Sequence, residues 1–406
     1  MAEFATDEQV QEEVIKCYHM IIEVLKEYCE LHPDYYSLVA LWIIGTYCHD
    51  SFSTFPFLFI NAMRGSGKTR LLKLIAAMSK DADIQANISE AVLFRTAKGR
   101  TIVLDEFEHI GSKEKGTLRE LLNAAYKKGL KVKRMKRHKT IMGEEQVVEE
   151  FDLYTPICMA NIWGMDEVLG DRCVTMTLEK SSDKRITKKL EDFDNYTTIQ
   201  DIKRTLYTIQ CSLCSVVTKK NLTSDWNVYV NNNYTTTHTT LTTLTTLTTL
   251  TPQQDAIFKE IDEVGIDGRH LEIFFPIFIL SNLISNETFC NTLRIAKGMV
   301  DDRKSDEHLE SRDVMLYNLI AEAPIEWYDS FVSVHDITAK FREFVHEEVN
   351  EENWLNTKWV GRALRRLILI LDKRRINKGV EVRLNIPKAK EKSMIFMKEE
   401  VAQCGA

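Results

Sequence analysis

The segment A-M-R-G-S-G-K-T at residues 62–69 has the residue types and spacing of a loop that wraps phosphate. It follows the continuous apolar run 55–61 and precedes a helical pattern from about 68 to 79. That strand, turn and helix order is the setting such a loop requires. Gly65 and Gly67 let the backbone come close and aim N–H groups at an anion at a helix N-terminus. Lys68 would reach the β- and γ-phosphates, and the Thr69 hydroxyl would ligate Mg²⁺. Ser66 and Arg70 complete the expected nucleotide-binding set. Ala62 stands where such loops usually carry their first glycine, which tightens the turn. A chance glycine turn has no reason to be flanked by both a buried strand and a helix.

A second chemical element is T-I-V-L-D-E at 101–106. An apolar strand ending in Asp105 and Glu106 delivers two carboxylates to the C-terminal edge of a parallel sheet, where ligands of open α/β sheets bind. Asp105 would hold the magnesium, and Glu106 would polarise the attacking water. An acidic turn after a strand is commonplace on its own, but this one falls 36 residues after Thr69. Asn161 closes a third apolar run and could position the hydrolytic water. Arg172, in G-D-R-C before the strand-like VTMTL, could serve a neighbouring subunit as an arginine finger. The bland readings of these two are a turn residue and a surface charge. The implied cofactors are ATP and Mg²⁺.

Two basic stretches suggest a polyanionic partner. Between 127 and 139, eight of thirteen residues are Lys or Arg and none is acidic. Lys131, Lys133, Arg134, Lys136 and Arg137 on a hairpin could grip the backbone of single-stranded DNA. Near the C-terminus, Asn356 or Thr357 could cap a helix carrying Lys358, Arg362, Arg365 and Arg366, with Trp359, Leu364, Leu367 and Ile368 on its apolar side. A basic turn with Arg374, Arg375 and Lys378 follows, then V-E-V-R-L-N-I alternates like a strand, with SMIFM as a candidate partner strand. Helix, basic turn and hairpin together look like a winged helix whose cations contact phosphates. The competing readings are a solvated hairpin and a protein-docking domain.

Composition sets the frame for these motifs. The chain has 406 residues, 44% hydrophobic and 28% charged, which suits a globular protein with a sizeable core. A net charge of −7 excludes a uniformly basic nucleic-acid binder, so any DNA contact must be local. Nine scattered cysteines, with one CxxC at Cys211 and Cys214 and no second pair, argue against a zinc site. They fit a reducing, cytoplasmic setting. The acidic N-terminus does not read as a signal peptide. The longest apolar runs, 55–60 and 273–280, fall far short of the roughly 20 residues a membrane span needs.

The elements that must position these residues follow from periodicity. Residues 8–30 and 34–48 read as helices, 55–61 and 101–105 as buried strands, and 112–128 as a helix. Residues 131–153 read as a hairpin turning near 142–143, and 155–161 and 173–178 as further strands. The alternation predicts an α/β core with a parallel sheet. Four regions are expected: an N-terminal helical segment at 1–50, the core at 51–185, a helical lid at 186–325 and a small domain at 326–406. The lid contains a Thr-rich, low-complexity insertion at 234–251.

The motifs together resemble those of the AAA+ ATPases of phage and plasmid primase–helicases, relatives of the superfamily-three and mini-chromosome maintenance helicases. The likeness covers most of 34–180, including SGKTRLLKLI, VLDEFE, FDLYTPICMANI and GDRCVTMTLEK, and resumes at 268–284. The resemblance implies an AAA+ P-loop core, a helical lid and a C-terminal winged-helix domain. It assigns Lys68 and Thr69 to Walker A, Asp105 and Glu106 to Walker B, Asn161 to sensor 1, Arg172 to the arginine finger and Arg269 to a sensor 2 lid arginine. It further implies a homo-oligomeric ring, often a hexamer, and a separate primase or polymerase as partner. The expectation is an ATP-dependent DNA helicase or translocase of a mobile element. Its rivals are an ATP-gated initiator or maintenance ATPase that does not unwind, and a scaffold that binds nucleotide only to fix an assembly.

Overall fold

The computed structural model describes residues 6–62, 65–85, 90–105, 116–140, 143–161, 167–219, 222–234, 250–310, 312–345, 355–376, 379–391 and 393. Glu106, Lys378 and the Thr-rich stretch from 235 to 249 lie outside them. The chain divides into two compact units, 1–298 and 299–406.

In the first unit two helices precede the sheet. Helix α1 (Asp7–Tyr28) opens with a reciprocal capping box between Thr6 and Gln9 and buries Val10, Val14, Ile21 and Leu25 along one face. Helix α2 (Pro33–Thr46) is apolar all round, and ten of its fourteen residues are buried, as expected of a helix enclosed on every side. The Trp42 indole N–H donates to the Pro56 carbonyl at 2.9 Å, which ties α2 to the entrance of the first strand. A Cβ at Gly45 would come within 2.6 Å of the Phe55 ring, so the absence of a side chain lets α2 lie against that ring.

The core then alternates. Its elements are β1 (Phe57–Ala62), α3 (Lys68–Met78), β2 (Ala82–Gln85), α4 (Glu90–Thr96), β3 (Thr101–Leu104) and α5 (Gly116–Ala125). They continue with β4 (Lys131–Thr140), β5 (Gly143–Asp152), β6 (Ile157–Asn161), α6 (Glu167–Gly170) and β7 (Cys173–Leu178). Five strands form one parallel sheet in the order β2-β3-β6-β1-β7. The α/β class with a parallel sheet therefore holds. Strands β3 and β6 are buried along their whole length, as strands covered on both faces must be. Register aligns the strand ends: Asn61 stands beside Asn161, and Leu104 beside Met159. The C-termini of β1, β3 and β6 thus open at one edge.

Strands β4 and β5, ten residues each, form a separate antiparallel hairpin. At its base, Val132 and Phe151 pack on the sheet's core, which includes Phe57, Ile102, Leu122 and Met159. The unit continues with α7 (Lys184–Thr187), α8 (Thr197–Lys219), α9 (Leu222–Tyr234), α10 (Pro252–Glu263) and α11 (Gly268–Ile284). Helix α8 packs along α1, and α11 packs against α1 and α2. The N-terminal helices and much of the expected lid therefore share one unit with the sheet. Helix α12 (Asn286–Glu310) carries the division between the units. Among the described residues, no helix is long and apolar enough to cross a membrane.

The second unit contains α13 (Arg312–Ala321), β8 (Phe331–Ser333), α14 (Val334–Phe344), α15 (Thr357–Arg366), β9 (Ile370–Ile376) and β10 (Gly379–Leu384). Its sheet is antiparallel, in the order β8-β10-β9. Leu316 and Ile320 of α13 share its core with Ile337, Phe341, Val360 and Leu364. Asn356 caps α15 by accepting from the Lys358 and Trp359 N–H groups at 3.1 and 3.0 Å, as the sequence led one to expect. One reading needs correction. The basic segment at 370–376 is strand β9 and not a turn, and it is the partner of the VEVRL strand. An outer strand can be paired on one edge and exposed on its faces, so charged residues do not prevent it from forming. Ser393 is helical, and the rest of SMIFM lies outside the described residues.

Candidate functional site

The C-terminal edge of the parallel sheet gathers the residues of the phosphate-binding pattern. Strand β1 ends at Ala62 and α3 begins at Lys68, so the turn must reverse within a few residues. Gly65 and Gly67 make this possible with φ of +78° and +91°, a region that residues with side chains rarely adopt. The space before each is open: a Cβ at either position would meet nothing within 4 Å. Gly67 is the N-cap of α3, and it has no side chain with which to cap that terminus. Its first N–H groups carry the positive end of the helix dipole and suit an anion from outside the chain. The Ser66 hydroxyl is buried with no hydrogen-bond partner among the described residues. These features fit a bound polyphosphate.

Lys68 and Thr69, one helical step apart, both reach Asp105 across the edge. The Lys68 Nζ lies 3.2 Å from Asp105 Oδ1. The Thr69 hydroxyl donates to Asp105 Oδ2 at 2.7 Å. Lys68 is 11% exposed and Asp105 18%, so the pair is largely shielded from water. Hydroxyl and carboxylate oxygens in contact are a fitting pair of ligands for a hard cation such as Mg²⁺. Among the described residues no cluster of three or more His, Cys, Asp or Glu gathers. The metal reading thus rests on Thr69, Asp105 and phosphate oxygens. Asn161 is buried at the end of β6, the strand that separates β1 from β3. That places its residue between the turn after β1 and Asp105.

Arg70 does not join this cluster. Its guanidinium donates to the Ile186 and Lys189 carbonyls at 2.8 and 2.7 Å and pairs with Glu191 at 3.4 Å. Lys73, one turn further along α3, also meets Glu191 at 2.9 Å. Burial alone would raise the Glu191 carboxyl, but Lys73 and Arg70 outweigh it and hold it below the usual range. On the far side, Lys189 and the Tyr196 hydroxyl bond Glu27 of α1. Arg70 therefore anchors the segment between β7 and α8 to the helix that opens at the phosphate turn.

Arg172 and Arg269 lie elsewhere. The Arg172 carbonyl accepts from the N–H of Phe57, the first residue of β1, at 3.0 Å. This is the opposite edge of the sheet from Lys68. Both guanidiniums sit on the Tyr126 ring, Arg172 at 5.0 Å and Arg269 at 5.5 Å from its centre. Burial, followed by the charge of Arg269, lowers the Arg172 pKa. No local pattern points to Tyr126, because three segments distant in the chain meet at its ring.

The basic hairpin also has a feature that its own sequence run hides. Strand β5 is acidic and faces β4 in register: Lys131 stands opposite Asp152, Lys133 opposite Glu150 and Arg134 opposite Glu149. Lys131 and Lys133 both pair with Glu150, at 3.2 and 3.0 Å. Those contacts, Lys133 foremost, lower the Glu150 pKa. Lys136 and Arg137 stand opposite Val147 and Gln146, which carry no charge. In the second unit, Lys358, Arg362 and Arg365 are exposed on one side of α15, opposite the buried Val360 and Leu364. Arg374 lies over the Phe331 ring at 4.3 Å and pairs with Glu381 at 2.6 Å, while Arg375 is exposed.

Compared with known proteins, the chain matches no protein-family model and no curated sequence.

Proposed function

We propose that this chain is a magnesium-dependent ATPase of the AAA+ P-loop type that acts on DNA, as a helicase or translocase. The observation that carries the reading is the meeting of Lys68 and Thr69 with Asp105 beside a helix N-terminus whose cap residue is Gly67. Bound Mg-ATP supplies the phosphoryl group and the negative charge that such a site is built to neutralise. Lys68 turns to the outer phosphates, Thr69 and Asp105 hold the metal, and the turn's N–H groups cradle the chain of phosphates. Asn161, beside them on the central strand, orients the water. Glu106 is assigned to polarise that water from its place next to Asp105 in sequence.

The order α13, β8, α14, α15 and the β9–β10 hairpin supports reading the second unit as a winged helix, with α15 toward DNA. The decisive test is hydrolysis by the full chain with and without single-stranded DNA. A motor should be stimulated several-fold and should displace an annealed strand. Hydrolysis indifferent to DNA would remove the motor reading.

A second reading, an ATP-gated DNA binder that leaves strands paired, is favoured by the pairing of Lys131 and Lys133 with Glu150. Cations already paired within the hairpin are poorly placed to track a moving strand. Glu150→Gln separates the two. If the hairpin grips DNA, freeing these lysines should tighten single-strand binding several-fold and steepen its log–log salt dependence by roughly 1 to 2. Unchanged affinity and slope, measured by fluorescence anisotropy across a salt series, would take the hairpin out of the DNA contact.

A further inference from the structure

We infer that Arg70 is a positioning residue: fastened to the segment between β7 and α8, it keeps the first turn of α3 wound and so sets the Thr69 hydroxyl where the metal ion needs it. The inference rests on the nucleotide-site reading above and adds the contribution of a segment that the phosphate-binding pattern does not include. From Leu71 onward, packing fixes α3: Leu71, Leu72, Leu74, Ile75 and Met78 are buried. The turn before them lacks that support. Gly67 has no side chain, Thr69 is exposed, and the Leu71 N–H closes the turn by donating to the Gly67 carbonyl at 3.0 Å. Element ends with few buried contacts are the parts of a native structure that open first. Lys68 and Thr69 do reach Asp105, but a bound metal and phosphate must rearrange those very contacts. They cannot hold the turn while Mg-ATP enters.

Arg70 can. Its guanidinium spans the Ile186 and Lys189 carbonyls, at 2.8 and 2.7 Å, and pairs with Glu191 at 3.4 Å. Three acceptors on one planar fork fix its direction as well as its distance. Glu191 takes a second hold one turn further along α3, on Lys73 at 2.9 Å. The segment is itself braced from behind by α1. Lys189 and Tyr196 bond Glu27, and the Lys189 ammonium lies 4.5 Å from the centre of the Tyr28 ring. The buried Phe193 meets the same ring edge-on at 5.0 Å. Helix α1, buried along one face, thus holds the residue next to the metal ligand. Because Thr69 and Arg70 are adjacent, a backbone fixed at one leaves little freedom at the other. A site that is formed only part of the time binds its ligand more weakly in proportion.

The test titrates magnesium against hydrolysis by the full chain at saturating ATP. Arg70→Ala should raise the magnesium needed for half-maximal hydrolysis roughly five- to tenfold, while kcat at saturating metal falls less than about threefold, because excess metal selects the wound turn. Glu191→Gln keeps both carbonyl bonds and should shift the requirement only about twofold. Arg70→Lys, which can reach one acceptor but not all three, should recover part of the shift. Tyr154→Phe is the control for stability alone. It removes hydrogen bonds to the His49 and Phe52 carbonyls, at 2.9 and 3.0 Å, near the start of β1 at the opposite edge of the sheet. It should lower the thermal melt without moving the magnesium requirement. Should Arg70→Ala fail to fold, Glu191→Gln and Arg70→Lys carry the same comparison. The inference is overturned if the Arg70 and Glu191 variants keep the wild-type magnesium requirement, or if Tyr154→Phe shifts it as much as they do. A wild type without magnesium-dependent hydrolysis would instead refute the nucleotide-site reading itself.

Discussion

Replacing Lys68 by Ala is expected to slow ATP hydrolysis by ~10²–10³-fold, the usual effect of deleting one group aimed at developing charge in a shielded site. The ammonium lies 3.2 Å from Asp105 in surroundings that leave it 11% exposed, so water cannot replace its charge. The substitution also takes a cation from a largely buried carboxylate, which destabilises the fold when one partner of such a pair is removed. The two effects are separable. Phosphate release at saturating Mg-ATP reads catalysis, and a thermal melt without nucleotide reads stability. Lys68→Arg keeps the charge but replaces a compact ammonium with a planar fork, and should recover the melt more than the rate. A Lys68→Ala protein with the wild-type rate would end the phosphate-loop assignment.

Asp105→Asn should divide binding from turnover. The amide keeps an oxygen that can accept from Thr69, so the local geometry persists, but the charge that favours a divalent cation is lost. Nucleotide should still raise the melting temperature, because the turn and the α3 N-terminus are untouched. Hydrolysis should fall ~10²-fold or more, since the metal's share of transition-state charge neutralisation goes with it. The shift in melting temperature with ATP should also stop depending on magnesium concentration. A variant that keeps both its turnover and its magnesium dependence would place the metal elsewhere.

Much of this site could be read from the sequence because its frame is coded locally. Strands β1, β3 and β6 are largely apolar runs: β1 leads into the glycine turn, β3 stops one residue before Asp105, and β6 ends at Asn161. Strand β2 escaped notice: A-D-I-Q is four residues at the sheet's edge, with too little apolar character to stand out. Arg70 looked like a member of the phosphate turn by sequence position, but the third residue of a helix points well away from the first. Its partners at 186, 189 and 191 could not be anticipated from local pattern. Arg172 and Arg269 stand out in the sequence, but their meeting on the Tyr126 ring does not, for the same reason. The 127–139 stretch shows a cationic hairpin strand by composition, but strand pairing decides that acidic residues face it. The 370–376 segment reads as a turn because an exposed outer strand can carry a run of charges, here four consecutive residues from Asp372 to Arg375.

The β4–β5 arm has a consequence of its own. Among the described residues of the arm Val132 and Phe151 pack on the sheet's core, and further out facing charges add to the turn in setting how the strands align. Sliding one strand by two positions would set Met135 against Glu150 and Arg134 against Phe151, although Lys133 and Lys136 would then face Asp152 and Glu149. Ionic strength then acts on alignment itself. Near 1 M salt the screening length falls to about 3 Å. The arm would keep its extended backbone there but lose the share of its alignment that the facing charges supply.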